Sequence, residues 1–212
     1  MCKHSLSKED TIYIKKVIIC TFSIVLLGFG VALNTRAMLG NDPITVFYEG
    51  FGLKTGVNMG LAANIVSAIL VAAVFLLDRH YINVGTLIYA AVLGLSITYS
   101  LSLYDSLNIP YTLMNRVITV LIGYTISTTA VGAFVAIDIG IDPWMASAII
   151  IGKKLDKPFG LVKACIDVSM LIIGYFMGGT VGVMTFVSAI LGGPAVQKIS
   201  EFLDKVFAKM VE

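Results

Sequence analysis

Apolar residues gather into six stretches, at residues 17–37, 57–77, 82–103, 117–137, 159–177 and 181–196. Each approaches the roughly 20 residues that cross a bilayer as a helix. The pattern predicts an all-α polytopic membrane protein with six transmembrane helices. Two shorter apolar pieces, 44–53 and 144–151, lie between the first and second stretches and between the fourth and fifth. About ten helical residues reach only ~15 Å, half of a ~30 Å hydrocarbon core, so these pieces predict half-helices or re-entrant elements. The tail, 197–212, spaces Ile199, Phe202, Leu203, Val206, Phe207 and Met210 at helical intervals with Lys and Glu between them. It reads as an amphipathic helix on the membrane surface.

Both short pieces begin in the same way. Gly40-Asn41-Asp42-Pro43 returns one hundred positions later as Gly140-Ile141-Asp142-Pro143, and Val31, Gly52, Lys54, Gly60 and Leu61 return without a gap as Val131, Gly152, Lys154, Gly160 and Leu161. A fixed period over this length marks two copies of one unit. The chain divides into an N-terminal segment (1–16), repeat 1 (17–104, half-helix 43–54), repeat 2 (105–196, half-helix 143–154) and the tail (197–212). Three spans per copy make the second copy enter the membrane upside down. Basic residues agree. With the N-terminus inside, the inner segments hold Lys3, Lys8, Lys15, Lys16, Arg79, Lys153, Lys154, Lys157, Lys198, Lys205 and Lys209, and the outer ones only Arg36, Lys54 and Arg116. That bias predicts N-in, C-in.

Composition narrows the class further. Of 212 residues, 58% are hydrophobic and 13% charged, against about 25% charged in soluble domains; mean hydropathy is +0.92. A net charge of +2 gives no reason to expect nucleic acid. The partners expected are the lipid bilayer and an unidentified small molecule, with a homodimer or a partner subunit also open. Cys2, Cys20 and Cys165 are odd in number and form no C-x-x-C, so they read as small packing residues rather than a disulfide framework. No H-E-x-x-H, G-x-S-x-G or Walker pattern occurs, and His4 and His80 lie outside the spans. Neither an enzyme nor a cofactor or metal site is expected.

The chemistry resides in a few polar residues. Asp before Pro at the start of an apolar run is a helix N-cap followed by a favoured first-turn residue, and the Gly two positions earlier permits the turn. Asp42 and Asp142 are therefore caps, with Gly40, Pro43, Gly140 and Pro143 as structural companions. Helix starts at membrane depth also offer free N–H groups to polar ligands, so both Asp residues are candidate cavity-lining groups as well. Asp167 lies inside the fifth span, where an ionisable group is costly unless paired or hydrated. Lys163, four residues earlier, is its natural partner. The pair reads either as a functional site or as an ion pair that orients the helix. Asn64 and Ser67 share a face at the corresponding place in repeat 1, and Asn34 ends the first span. Arg116 reads as a snorkelling residue. Trp144 reads as an interface anchor or a ligand-stacking ring. Gly56-x-x-x-Gly60 and Gly178-Gly179-x-x-Gly182 would let helices pack closely. Gly85 and Gly182, which open the last span of each copy, are expected to correspond.

Two copies that each carry G-x-D-P before a short helix, with Gly85-Thr86 or Gly182-Val183 opening the last span, resemble the YczE/YyaS/YitT group of bacterial integral membrane proteins, closest to the YczE branch. Asp167, Lys163 and Gly192-Gly193 belong to the same resemblance; Val183 departs from it, where a Thr like Thr86 is expected. The resemblance implies a bacterial cytoplasmic membrane protein and names no substrate. The function expected is a transporter or permease for a small polar or anionic molecule, alternating access around a midplane site. The alternative is a non-catalytic binding or scaffold subunit, such as a substrate-capture component that needs a partner.

Overall fold

The computed structural model describes residues 8–211, with side chains placed over 9–207. Cys2, Lys3 and His4 lie outside the described residues, as do the side chains of Lys8, Lys209 and Met210. The described chain forms α1 (Lys8–Ala37), α2 (Pro43–Thr55), α3 (Met59–Asp78), a 3-10 turn (Arg79–Tyr81), α4 (Val84–Ser106), α5 (Leu113–Ile137), α6 (Pro143–Leu155), α7 (Phe159–Phe176) and α8 (Val183–Val211). Six of these helices, α1, α3, α4, α5, α7 and α8, are long and apolar enough to cross a membrane. α2 and α6 have 13 residues each and reach only about 20 Å.

Local chemistry sets the helix ends. Asp42 accepts from Thr45 N, Asn58 from Leu61 N, Thr112 from Asn115 N and Asp142 from Trp144 N, each meeting one of the orphan donors of a first turn. α2 and α6 close on left-handed residues, Gly56 and Asp156. Several boundaries differ from the sequence expectation, among them the start of α5 at Leu113 rather than 117. α1 is already helical at Lys8, well ahead of the apolar run. α4 continues to Ser106. α8 runs unbroken through Pro194, because Gly192 and Gly193 keep helical backbone instead of the positive φ that ends α2. The tail is therefore helical but continuous with the last span. Its apolar side meets protein as well: Ile199 packs at Gly132 and Phe207 joins the core cluster around Ile24, Ile97 and Phe134.

α1 packs on α4 and α5, and α5 on α8; α2 packs on α3 and α7, and α6 likewise on α3 and α7. A shift of one hundred residues carries α1–α4 onto α5–α8, α2–α3 onto α6–α7 and α2–α7 onto α6–α3. One seam has no such counterpart: α3 packs along α4, and no comparable seam joins α7 to α8.

At one end of the bundle the last residues of α1 meet the start of α5, the end of α4 and the start of α8. Arg116 donates to the carbonyls of Ala37 and Met38 at 2.8 and 2.7 Å, and Arg36 pairs with Asp105 at 2.5 Å. Arg116 is thus not a free snorkelling residue; it satisfies carbonyls left open where Met38 turns left-handed at φ 50°. At the other end Lys153 of α6 donates to the Tyr81 hydroxyl and sits over its ring, a contact that pushes the Lys153 ammonium pKa up.

The two halves interlock through their Gly-x-Asp-Pro turns. Gly85 N, in the first turn of α4, donates to Ile139 O at 3.1 Å; Met184 N, in the first turn of α8, donates to Leu39 O at 3.0 Å. The next residues, Thr86 and Thr185, are both fully buried. Thr86 Oγ1 donates to Ile141 O at 2.8 Å and accepts from Ile141 N at 3.1 Å; Thr185 Oγ1 accepts from Gly182 N at 3.2 Å against Gly40. In amide bonding Met184 answers to Gly85, while in packing Gly182 does so as expected, meeting Leu39 and Gly40 as Gly85 meets Ile139 and Gly140; the hydroxyl expected at 183 is supplied by Thr185. Of the other small-residue pairs, Gly60 and Gly179 pack closely, whereas Gly56 ends α2 in open space.

Gly40 has φ +100°, and a Cβ there would fall 2.5 Å from Gly182 N; Gly56 also has positive φ, +76°, with nothing within 4 Å. Gly40→Ala is expected to cost more than the about 1–2 kcal/mol of backbone strain that Gly56→Ala costs. Thermal unfolding midpoints of the detergent-solubilised variants measure this, and equal midpoints would argue against the interlock.

Candidate functional site at the paired helix starts

α2 and α6 start beside one another. The Trp144 indole N–H donates to the Tyr48 hydroxyl at 2.7 Å, and the Phe47 and Trp144 rings meet edge-on with centroids 6.2 Å apart. Trp144 is 8% exposed, so it is a core residue and not an interface anchor. Its polar N–H explains the Tyr: a buried indole needs an acceptor.

Around this aromatic contact lie four charged side chains. Asp42 accepts from the Thr45 amide and hydroxyl. Asp142 accepts from Trp144 N at 2.8 Å and from the Tyr89 hydroxyl at 3.4 Å. Lys163 and Asp167, one turn apart on α7, form an ion pair at 2.6 Å. The charges are close enough to interact: Asp42 with Asp167 and Lys163, and Asp142 with Lys163 and Asp42. Asp142, Trp144, Lys163 and Asp167 line a cavity of about 30 Å³ with Ile44, Met145, Ala148 and Ile166. That volume holds a water molecule or two and no metabolite.

The remaining sequence candidates separate. Ser67 is buried beside Tyr48, close enough to interact with its hydroxyl but not in hydrogen-bond geometry. Asn64 instead clamps α3 to α4, accepting from Gly94 N at 2.8 Å and donating to Ala91 O at 3.3 Å. The two do not line one cavity, because residues three apart diverge enough to meet different neighbours. Asn34 lies in the α1–α5 seam against Gly123, with Oδ1 unpartnered, and does not line the charged crevice. Gly40, Pro43, Gly140 and Pro143 shape the two turns as expected. Sequence reasoning missed Tyr48, Tyr89 and Glu49. Glu49 of α2 holds the α7–α8 connection by accepting from Thr180 N at 2.7 Å and from its hydroxyl at 2.9 Å. A charged residue within a short apolar helix is a signal that was legible; the two tyrosines give none, because Tyr is common in apolar helices.

A six-span bundle with two short helices meeting at an interior charged crevice defines a polytopic α-helical membrane protein. The profile described as "Family of unknown function (DUF6198)" matches residues 14–201, and the chain belongs to that family. It is similar to an "Uncharacterized membrane protein YczE" of Bacillus subtilis (strain 168), with 27% identity over 80% of this chain and 78% of the relative. It is also similar to an "Uncharacterized protein" of Haemophilus influenzae, with 25% identity over 86% of this chain and 82% of the relative. No solved structure matches the chain. The YczE-like membrane family expected from the Gly-x-Asp-Pro repeats is thus confirmed.

The chain has a single tryptophan, so its fluorescence reports this site. Tyr48→Phe removes the acceptor of the indole N–H, and Trp144 emission is expected to move to shorter wavelength. An unchanged spectrum would place the indole in other surroundings.

Proposed function

We propose that this chain is a secondary transporter or permease for a small polar molecule, and neither an enzyme nor a cofactor protein. In this reading α1–α4 and α5–α8 act as inverted repeats about a pseudo-two-fold axis in the membrane plane. The chain sits in a bacterial cytoplasmic membrane with both termini inside, as its basic residues favour. The observation that carries the reading is the convergence of two helix N-termini, Asp42 of one half and Asp142 of the other, on the Lys163–Asp167 pair. Interrupted helices meeting at an interior polar site are the architecture of many secondary transporters. An ion pair facing a crevice is expensive in lipid and is retained where cargo or protons use it.

The charge inventory selects among cargoes. Two carboxylates, Asp142 and Asp167, line the crevice with the Lys163 ammonium, Asp42 lies within electrostatic reach, and each of two helix starts adds about half a positive charge, which leaves a balance of about −1. A cation, or a proton exchanged for one, fits that balance better than an anion. A non-transporting binding or scaffold subunit is the second reading, and the small size of the crevice favours it.

The test reconstitutes the purified chain in proteoliposomes with an imposed pH gradient and screens uptake of labelled amines, then of neutral and anionic metabolites. Asp167→Asn is expected to lower uptake at least tenfold, and wild-type rates in that variant would remove Asp167 from the mechanism. Cargo that binds but moves only with an added ATPase would establish the second reading.

A further inference from the structure

The unmatched seam has a physical signature. In the first half, Gly60 and Gly94 are buried face to face, and a Cβ on either would fall on the other's carbonyl. The interlock pairs Gly85 with Met184 and Thr86 with Thr185, which makes Gly193 the counterpart of Gly94 as Gly160 is that of Gly60. Gly160 and Gly193 are both exposed, and a Cβ on either meets nothing within 4 Å. The glycines that let α3 and α4 touch are therefore present on α7 and α8, but unused in this conformation.

The uncovered face of α7 is also the charged one. Gly160, Lys163 and Asp167 follow one another at i, i+3 and i+7, a single helical face. On α3 the matching Ala63 and Ser67 are 0% and 1% exposed, with α4 packed alongside. On α7 the Lys163 and Asp167 side chains are 40% and 25% exposed. Asn64, which clamps α3 to α4 through two hydrogen bonds, has Ala164 as its counterpart. The first seam is thus fastened and the second is not.

We infer that the α7–α8 seam is a gate: α8 closes onto α7 through Gly160 and Gly193, as α4 is closed onto α3, and so covers the Lys163–Asp167 pair. The inference rests on the transport reading for its purpose. The occupant of the bare face is α8 of the same chain, because the first half displays that pairing in its closed form. Ala164 in place of Asn keeps the closure reversible, and the connection after α7, held by Glu49 through Thr180, is the fixed end about which the helices part.

Cysteine cross-linking tests the gate without a cargo. In a chain with Cys2, Cys20 and Cys165 replaced by Ala, Pro158→Cys and Gln197→Cys, the counterparts of Asn58 and Thr98 whose side chains bond across the first seam at 3.1 Å, are oxidised in native membranes, which leaves the glycine contact free of Cβ atoms. A disulfide needs Cβ atoms about 3.8 Å apart, so it forms only if the seam closes. An intramolecular cross-link is expected, and adding Ala164→Asn is expected to raise its yield about threefold, the worth of one interhelical side-chain bond in lipid. No cross-link, or one found only between chains, overturns the gate; the latter places a second copy on this face. If the double variant fails to accumulate, maleimide labelling of Gln197→Cys alone takes its place: a fall of about threefold on adding Ala164→Asn supports closure, and unchanged labelling overturns it. The two ideas fail separately. Uptake without cross-linking overturns the gate and leaves transport standing, whereas cross-linking in a protein that moves no cargo supports closure and overturns the transport reading.

Discussion

The structure depends on satisfying the backbone of two turns that interrupt an apolar helical bundle. Two turns, each beginning with Gly and ending with Asp-Pro, interrupt the bundle, and irregular backbone of this kind survives in lipid only when protein covers it. Each half covers the other's turn. The first-turn amides of α4 and α8 donate to Ile139 O and Leu39 O, and Thr86 and Thr185 seal the contact from fully buried positions. Neither half completes its own turn, so the halves are mutually obligatory. The short helices then follow from local chemistry, with Asp as cap and Pro in the first turn.

Once the turns are fixed, the starts of α2 and α6 have little freedom. Close contact through Gly50 and Gly174 holds α2 on α7, and the Trp144–Tyr48 bond ties α6 to α2. Asp42, Asp142, Lys163 and Asp167 are brought together as a consequence. The electrostatics of the crevice are thus built largely by packing at glycines, with the Lys163–Asp167 ion pair formed within α7 itself.

The matching helix contacts of α1–α4 and α5–α8 give this protein its own reference state. Most packing in one half recurs in the other, so the missing α7–α8 seam stands out as a physical difference rather than as a generic lipid-facing surface. The Asn64 clamp in one half and Ala164 in the other give a cause: a polar bond inside lipid fixes one seam, and its absence frees the other. Sequence alone showed Asn64 as a polar in-span residue but not what it held, because residues that share a helical face still meet different neighbours.

Six apolar spans, two capped short helices and the Lys163–Asp167 pair were legible in the sequence, because each rests on local rules: apolar length, N-cap chemistry and i,i+4 reach. The roles of Tyr48, Trp144, Arg116 and Thr185 were not, because each depends on a partner distant in the chain. The continuity of α8 was also hidden, since the apolar stretch ends at 196 and the tail reads as a separate surface helix until contacts at Ile199 and Phe207 tie it to the bundle. The sequence by itself determined which segments lie in the membrane and where they break. Only the tertiary structure decided which carbonyl each freed amide would meet, which charges would share a crevice, and which of two equivalent seams would stand open, because those outcomes depend on how two halves pack and not on either half alone.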